Sequence, residues 1–343
     1  MIRIRALLAR AGEFALRYVS LDVEQGEYAV VLGAAGAGKT TLLETIAGIR
    51  RSDGGTIAID GRDVTYDPPE RRGIAMVYQH DYLFPHLDAA ANVAYGASSR
   101  DDARGAAEAA GVSHLLGRDV RSLSGGERQL VALARALATG AKVLLLDEPF
   151  AALDPPRRAG MRRTLREIQR REQLTVVHVT HDVAEAALLA DRVAVLDAGA
   201  LLQTGLATDV FARPVSARAA ELLGAENVFA GTVVGRADDV VEFRTGTLVL
   251  HAVADESASA ATHAVVHAGE IVIAREAMRS SARNAVVARV VAVTSNGALA
   301  RVELDASGTP LVASITASSA RELALRVGDQ VHASWKATAV RLC

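Results

Sequence analysis

The sequence predicts an α/β domain built on a largely parallel sheet, followed by a small all-β domain. Three observations predict it. From residue 1 to about 224, short apolar runs alternate with stretches of helical period. One of these runs leads into a glycine-rich turn that opens a helix. Beyond about Glu226 the chain becomes rich in Val, Ala and Thr, broken by polar turns. The 343 residues fit two domains of roughly 150 residues each.

Each element has its own warrant. Ile2 and Ile4 alternate with Arg3 and Arg5, which is a strand pattern and not the apolar run of a signal peptide. Val30-Val31-Leu32 reads as a buried strand; Leu42, Leu43 and Ile46 then recur at helical spacing, and Gly48 stops the helix. Leu130, Leu133 and Leu137 mark a further helix, and Val143 to Leu146 and Thr175 to Val179 two further buried strands. In the second domain Ala288 to Thr294 and Arg301 to Leu304 are strand segments. Val331, Ala333 and Trp335 alternate with His332, Ser334 and Lys336, which places Lys336 on the polar face of its strand. Gly224-Ala225 is the expected junction, giving domains 1–224 and 226–343; within the second, 228–275 and 284–342 are weakly similar and suggest a repeat.

Composition narrows the function. Lys plus Arg is 38 and Asp plus Glu is 40, so no general basic field invites nucleic acid. A single cysteine, Cys343, excludes a disulfide framework or a Cys-based zinc site within one chain and suits a reducing cytosol. No stretch reaches the ~18 uninterrupted apolar residues of a membrane span, so action at a membrane requires docking on another protein.

The chemistry starts at Gly33-Ala-Ala-Gly36-Ala37-Gly38-Lys39-Thr40, followed by Thr41, which matches G-x-x-x-x-G-K-[ST] after a strand and at the start of a helix. Backbone N–H groups of such a turn wrap phosphate oxygens, and the helix N-terminus adds favourable partial charge. Lys39 is placed to reach the terminal phosphates and the Thr40 hydroxyl to ligate Mg²⁺. Asp147-Glu148 ends a buried apolar run, where open α/β sheets bind ligands; Asp147 would hold Mg²⁺ through water and Glu148 would orient or deprotonate the attacking water. Leu123-Ser124-Gly125-Gly126-Glu127, ahead of a helix, reads either as an N-cap serine with a flexible turn or as a second phosphate-binding device. Two such devices in one chain suggest a nucleotide held between two copies.

These segments resemble the ABC transporter ATPases over roughly residues 1–224. Gly33–Thr40 resembles their Walker A loop, Val143–Glu148 their Walker B strand and Leu123–Glu127 their signature; Gln79 in Val77-Tyr-Gln79 resembles the Q-loop, Ala152-Leu153-Asp154 the D-loop and His181 in Val179-Thr-His181-Asp182 the switch histidine. The order of the motifs is the family's. Ala34, Ala35 and Ala151 depart from its commoner residues without removing a charge or a required glycine. The resemblance implies a P-loop NTPase fold with a RecA-like core and a helical subdomain, and ATP with Mg²⁺ as cofactors. Gln79 would contact Mg²⁺ and the attacking water and sense the membrane partner, His181 the γ-phosphate. Phe14, with Tyr18 as its rival, would stack on adenine, the alternative for either being a place in the core, and His178 has packing for its only role. Two copies would sandwich two ATP molecules head to tail, Lys39 of one facing Ser124 of the other, with Asp154 at the shared face. The surface around Gln79 and His80 to His86 would transmit closure to integral membrane permease subunits, fed by a periplasmic or extracellular substrate-binding protein. The chain would then sit peripherally on the cytoplasmic face of the cell membrane.

The tail narrows the substrate. An ATPase followed by a small OB-like β domain resembles importers carrying a TOBE-type domain. Pro68-Pro-Glu-Arg-Arg-Gly73 and Leu83-Phe-Pro-His86 resemble stretches of oxyanion importers, which sugar, polyamine and iron importers share. Ser281-Ala-Arg283-Asn284, Gly297-Ala-Leu, Val302-Glu-Leu, Ser318-Ser-Ala-Arg321 and Lys336-Ala-Thr338 resemble the molybdate-binding Mop domain. A tetrahedral dianion needs hydroxyl and backbone donors beside positive charge, and Ser281, Arg283 and Lys336 supply those types. Molybdate, tungstate and sulfate remain alternatives, as do a ferric iron, polyamine or sugar importer built on the same ATPase and regulation by intracellular anion. A non-transport ABC protein is disfavoured by a single cassette without heptad runs, and an anion-storage module with a dead ATPase by the presence of Lys39, Asp147, Glu148 and His181 together.

Overall fold

A computed structural model describes residues 1–80, 82–151, 153–254 and 260–343. Contacts divide the chain into Met1–Val210 and Phe211–Cys343.

The first unit carries two sheets. β1 (Ile2–Ala11), β2 (Phe14–Val23), β4 (Gly54–Ile59) and β5 (Arg62–Asp63) form an antiparallel sheet in the order β2-β1-β4-β5. Ile2 and Ile4 point into the core while Arg3 and Arg5 are exposed, as the alternation requires; the register then shifts between Ile4 and Leu7, where Ala6 takes φ 47. The second sheet runs β10-β9-β3-β8-β7-β6, from β3 (Tyr28–Leu32), β6 (Ile74–Val77), β7 (Val143–Asp147), β8 (Thr175–Thr180), β9 (Arg192–Asp197) and β10 (Ala200–Leu206). All its pairings are parallel except β9 with β10. Every residue of β3, β7 and β8 is buried, so these strands read as largely apolar, as strands covered on both faces do, with Asp147 at the end of β7 and Thr175, His178 and Thr180 in β8 as the buried polar exceptions.

Helix α1 (Lys39–Ala47) follows β3 and ends at Gly48, whose φ of 81 closes the last turn. Leu42, Leu43 and Ile46 join Ile2, Ile4, Val31, Leu145, Val177 and Leu196 in one core. A separate helical cluster, from α2 (Ala89–Ala94), α3 (Arg100–Ala109) and α4 (Gly125–Ala138), buries Val93, Ala107, Val131 and Ala134. α5 (Pro155–Glu172) and α6 (Val183–Leu189) bracket β8 in the chain. Among the described residues no helix is long and apolar enough to cross a membrane.

The second unit is a reciprocal exchange between two halves. The first half holds β11 (Asn227–Ala230), β12 (Thr232–Ala237), β13 (Val240–Thr245), β14 (Leu248–Val253), β15 (His263–Val266) and β16 (Val272–Ala274). The second holds β17 (Asn284–Asn296), β18 (Leu299–Ala306), β19 (Thr309–Thr316), β20 (Gln330–Trp335) and β21 (Arg341–Leu342). In each half the leading strand pairs with the penultimate one, β11 with β15 and β17 with β20. The last strands are traded: β16 pairs with β20 and β21 with β15. The buried asparagines that open the halves clamp the opposite half. Asn227 donates to Val312 O at 2.9 Å and accepts from Val312 N at 2.6 Å; Asn284 donates to His251 O at 2.9 Å and accepts from His251 N at 2.7 Å. Phe243, Leu250, Val302, Leu304, Val331 and Trp335 fill the shared core.

Candidate functional site

The C-terminal ends of β3, β7 and β8 meet in one place. β3 delivers the Gly33–Thr40 turn, β7 delivers Asp147 and Glu148, and β8 delivers His181 one residue beyond its end. The turn is shaped for backbone approach. A Cβ on Gly33 would lie 2.3 Å from Leu196 O, and one on Gly38, at φ 101, would lie 2.4 Å from the Phe14 ring. A side chain at Gly33 would clash with backbone and one at Gly38 would be strained by its positive φ, so both positions keep the turn clear of side chains.

Lys39 is buried and donates to Gly33 O at 2.9 Å and Ala34 O at 3.1 Å, with Glu148 Oε1 at 3.4 Å. Its ammonium lies against the inner wall of the turn, as a phosphate partner would need. The Thr40 hydroxyl donates to Asp147 Oδ2 at 2.9 Å. Burial raises the Asp147 carboxyl above its ordinary range, and the Thr40 hydrogen bond opposes that shift. Glu148 takes φ 43, a left-handed conformation that costs a non-glycine residue on the order of 1–2 kcal/mol. Its N–H bonds Val179 O at 3.0 Å and its carbonyl accepts from Ala151 N at 3.2 Å, so the surrounding chain holds it there. The turned backbone aims the carboxylate between Lys39 and His181, whose Nδ1 is 2.7 Å from Glu148 Oε2.

A hydroxyl and a buried carboxylate in contact are hard oxygen ligands of the kind Mg²⁺ prefers, so Thr40 and Asp147 fit that ion. Among the described residues no group of three or more His, Cys, Asp or Glu could hold a metal by itself, as expected where phosphate and water supply most ligands. Gln79 is exposed two residues beyond β6, on the strand next to β7, and no hydrogen bond joins it to Asp147 or Glu148 among the described residues.

The Leu123–Glu127 segment opens α4. Ser124 caps α4, accepting from Glu127 N at 3.4 Å, while Glu127 Oε2 accepts from Ser124 N at 2.7 Å. The serine is an N-cap within a capping box, and Gly125 and Gly126 are the first residues of the helix. A Cβ on Gly126 would come within 2.9 Å of the Leu153 side chain, which binds the signature turn to the segment ahead of Asp154. Asp154 caps α5, accepting from Arg157 N at 3.0 Å; Ala152 lies outside the described residues. Ser124, Gly126, Glu127, Leu153 and Arg157 line one groove of about 710 Å³. The site residues thus fall into two groups within a chain: Lys39, Thr40, Asp147, Glu148 and His181, and separately Ser124 to Glu127 with Asp154.

The aromatic candidates also separate. Phe14 packs on the core beside Gly38, whereas Tyr18 is 73% exposed. His178 lies in the core, its Nδ1 3.1 Å from Tyr28 OH and its ring edge-on to Phe150; burial drives its pKa down to about 3. Sequence reading missed the polar residues around it, Glu185, Arg162 and Arg158, because a buried carboxylate on a helix carries no motif.

In the second unit Asn284 pairs with Trp335, so Arg283 and Lys336 extend from neighbouring strand ends, with Ser281 two residues before Arg283; all three are exposed. One expectation is corrected here. Lys336 is not on the polar face of a strand: β20 stops at Trp335, and Lys336 caps a 3-10 turn in which its carbonyl accepts from Ala339 N at 3.1 Å. The buried Ala337 pulls the chain inward and ends the alternation. Ser318 and Arg321 lie on a short helix, Ala317–Glu322, capped by Thr316.

A family model described as ABC transporter matches residues 16–151, and a TOBE domain model matches residues 280–342. The molybdate/tungstate import ATP-binding protein of Pyrococcus horikoshii is 38% identical over 350 residues, covering 100% of this chain and 99% of that one. The sulfate/thiosulfate import ATP-binding protein of Mycolicibacterium paratuberculosis is 42% identical over 342 residues, covering 96% of this chain and 88% of its own length. Among solved structures, a dimeric ATP-binding cassette in a post-hydrolysis state bound to ADP and Pi aligns with TM-score 0.54 and 28% identity over 60% of this chain and 99% of that one. cbiO1 from Clostridium perfringens, part of an ABC transporter complex, aligns with TM-score 0.57 and 29% identity over 64% and 94%.

Proposed function

From the premise that this chain belongs to the ABC transporter ATPases and is an ATP-binding import subunit, we propose that it powers entry of a tetrahedral oxyanion, molybdate or tungstate, by closing head to tail on ATP with a second copy. The carrying observation is the convergence of Lys39, Thr40, Asp147, Glu148 and His181 at the ends of three parallel strands, with Ser124–Glu127 in a separate group. Among the described residues no contact joins the phosphate turn to the signature turn within one chain, and in this reading a second copy completes each site. The dimeric cassette bound to ADP and Pi supports that assembly.

In this reading the amides of residues 33–40 and Lys39 bind the β- and γ-phosphates of ATP. Thr40 and Asp147 would hold Mg²⁺, with Gln79 as the further ligand the resemblance implies, and the ion would supply positive charge against the phosphates. Glu148 takes the proton of the attacking water, and His181 fixes Glu148 while facing the γ-phosphate. Ser124 and the Gly125 and Gly126 amides of the partner subunit cover the other side of the phosphate, and Asp154 lies at the shared face. Phe14, beside the turn, is the residue nearest to an adenine-facing role. Closure reaches permease subunits through the exposed surface about Gln79 and the described part of 80–86, Asp81 lying outside the described residues; this places the chain on the cytoplasmic face of the membrane, with a substrate-binding protein on the other side.

The substrate reading is supported by the relatives that span the whole chain, named for molybdate/tungstate import, and by the donor types of Ser281, Arg283 and Lys336, the last two each one residue beyond the paired strand ends Asn284 and Trp335. Intracellular anion bound there would restrain hydrolysis. Sulfate is the second reading, favoured by the 42% identity to sulfate/thiosulfate import proteins.

Complementation tests the composite site. Lys39→Ala and Ser124→Arg chains should each be nearly inactive in ATP hydrolysis, and mixing them should restore activity, because one of the two sites then contains both intact halves. If the mixture stays as inactive as its components, two copies do not share a nucleotide.

A further inference from the structure

His181 is 63% exposed, and its one described contact within the site is with Glu148. Something else must hold it there. The residues on either side of it are fixed from below. The Thr180 hydroxyl accepts from Asp182 N at 3.0 Å and donates to Glu185 Oε2 at 2.8 Å. Asp182 Oδ1 accepts from Ala184 N at 2.8 Å and Glu185 N at 3.1 Å, while Oδ2 faces Arg158 at 3.4 Å and Arg162 at 3.5 Å. Arg162 also reaches Glu185 Oε1 at 3.3 Å.

The other end of this network leads to the signature turn. Arg158 donates to Leu153 O at 3.1 Å, and Leu153 is the side chain against Gly126. A cavity of about 80 Å³ lined by Glu148, Ala151, Arg158, Thr180, His181, Asp182 and Glu185 joins the hydrolytic carboxylate to the buried charges. The cluster is poorly designed for stability alone. Glu185 is 4% exposed, and among the described residues Arg158 Nε, Arg162 Nε and His178 Nε2 are buried without hydrogen-bond partners. Buried ion pairs with unmet donors are at best neutral for stability against apolar residues of the same volume. Burial, which raises the Glu185 carboxyl above its usual range, adds to that cost.

We propose that Glu185, braced by Arg162 and linked through Asp182 to Arg158, is a positioning residue that holds His181 against Glu148 and couples it to the Leu153 segment behind the signature turn. The inference rests on the ATPase reading above. Glu185 touches no reacting atom and acts through His181.

The test is a double-mutant cycle in steady-state ATP hydrolysis by the full chain, using Glu185→Gln, His181→Ala and both together. Glu185→Gln should lower kcat at least tenfold and change KM for ATP less than twofold. In the His181→Ala background it should lower kcat no further. A purely structural role would instead give a loss that multiplies with that of His181→Ala, and that result, or a kcat within twofold of wild type, overturns the proposal. If Glu185→Gln does not fold, Arg158→Gln, on a side chain 29% exposed, carries the same cycle and the same criteria. A wild-type chain that hydrolyses no ATP would instead overturn the ATPase reading, and this inference with it.

Discussion

Glu148→Gln separates the charge of the hydrolytic carboxylate from its shape. Gln has the same volume and tolerates φ 43 no worse than Glu, so the N–H bond to Val179 O and the turn to Ala151 remain. What disappears is a proton acceptor 2.7 Å from His181 Nδ1 and an anion 3.4 Å from Lys39 Nζ. A positioned general base is worth about 10²- to 10⁴-fold, which corresponds to roughly 2.7–5.5 kcal/mol in the barrier. Removing a negative charge beside the γ-phosphate position also removes repulsion, so ATP should bind as tightly as before or more tightly. The assay is phosphate release under single-turnover conditions, paired with binding of a fluorescent ATP analogue and size-exclusion chromatography with ATP. The expected result is a rate at least a hundredfold lower, unchanged or improved binding, and dimers that persist with ATP. Hydrolysis within threefold of wild type would refute Glu148 as the base, and loss of ATP binding would refute the argument that only charge was removed.

Further outcomes follow from the same geometry. Thr40→Val should raise the Mg²⁺ concentration needed for half-maximal hydrolysis at least tenfold, because the hydroxyl beside Asp147 is lost; an unchanged Mg²⁺ titration counts against that ligand pair. His178 has a folded pKa of about 3 against 6.5 for an unperturbed imidazole, so the unfolded chain binds more protons between those values. The stability it contributes is complete above about pH 6.5 and is lost as pH falls toward 3, with a slope of up to about 1.4 kcal/mol per pH unit. Urea unfolding of His178→Gln should show a shallower pH dependence between pH 7 and 5, and an identical slope would contradict the assignment. Asn227→Ala and Asn284→Ala each leave part-buried backbone groups of the opposite half unpaired, at roughly 1 kcal/mol; comparable losses in unfolding of the second unit are expected from both, and a cost from only one would break the reciprocity.

The legible part of this molecule is the part where one residue type alone meets a physical requirement. Gly33 and Gly38 leave no space for a Cβ, Lys39 and Thr40 are the groups a phosphate turn needs, and β3, β7 and β8 are buried on both faces, so their apolar runs are unambiguous. The strands at Ile2–Ala11, Asn284–Asn296 and Leu299–Ala306 were visible for the complementary reason that one face is exposed. What sequence could not supply was partnership. Asn227 and Asn284 look like ordinary strand-edge asparagines until the fold brings β19 of the opposite half against Asn227 and β14 against Asn284. Glu185 reads as a helix surface charge, since α6 shows no periodicity long enough to reveal which side faces β8. The end of β20 was misjudged by one residue because alternation continues through Lys336 in sequence, while the chain turns there to bury Ala337.

The substrate is the claim that one measurement reaches most directly: calorimetric titration of the full chain with molybdate, tungstate, sulfate and phosphate, repeated on Arg283→Glu with Lys336→Glu. The account predicts tight binding of molybdate and tungstate, sulfate at least tenfold weaker, and loss of all anion binding in the double variant. Sulfate binding as tightly as molybdate would move the chain to the sulfate reading, and anion binding that survives in the double variant would contradict the site at Arg283 and Lys336.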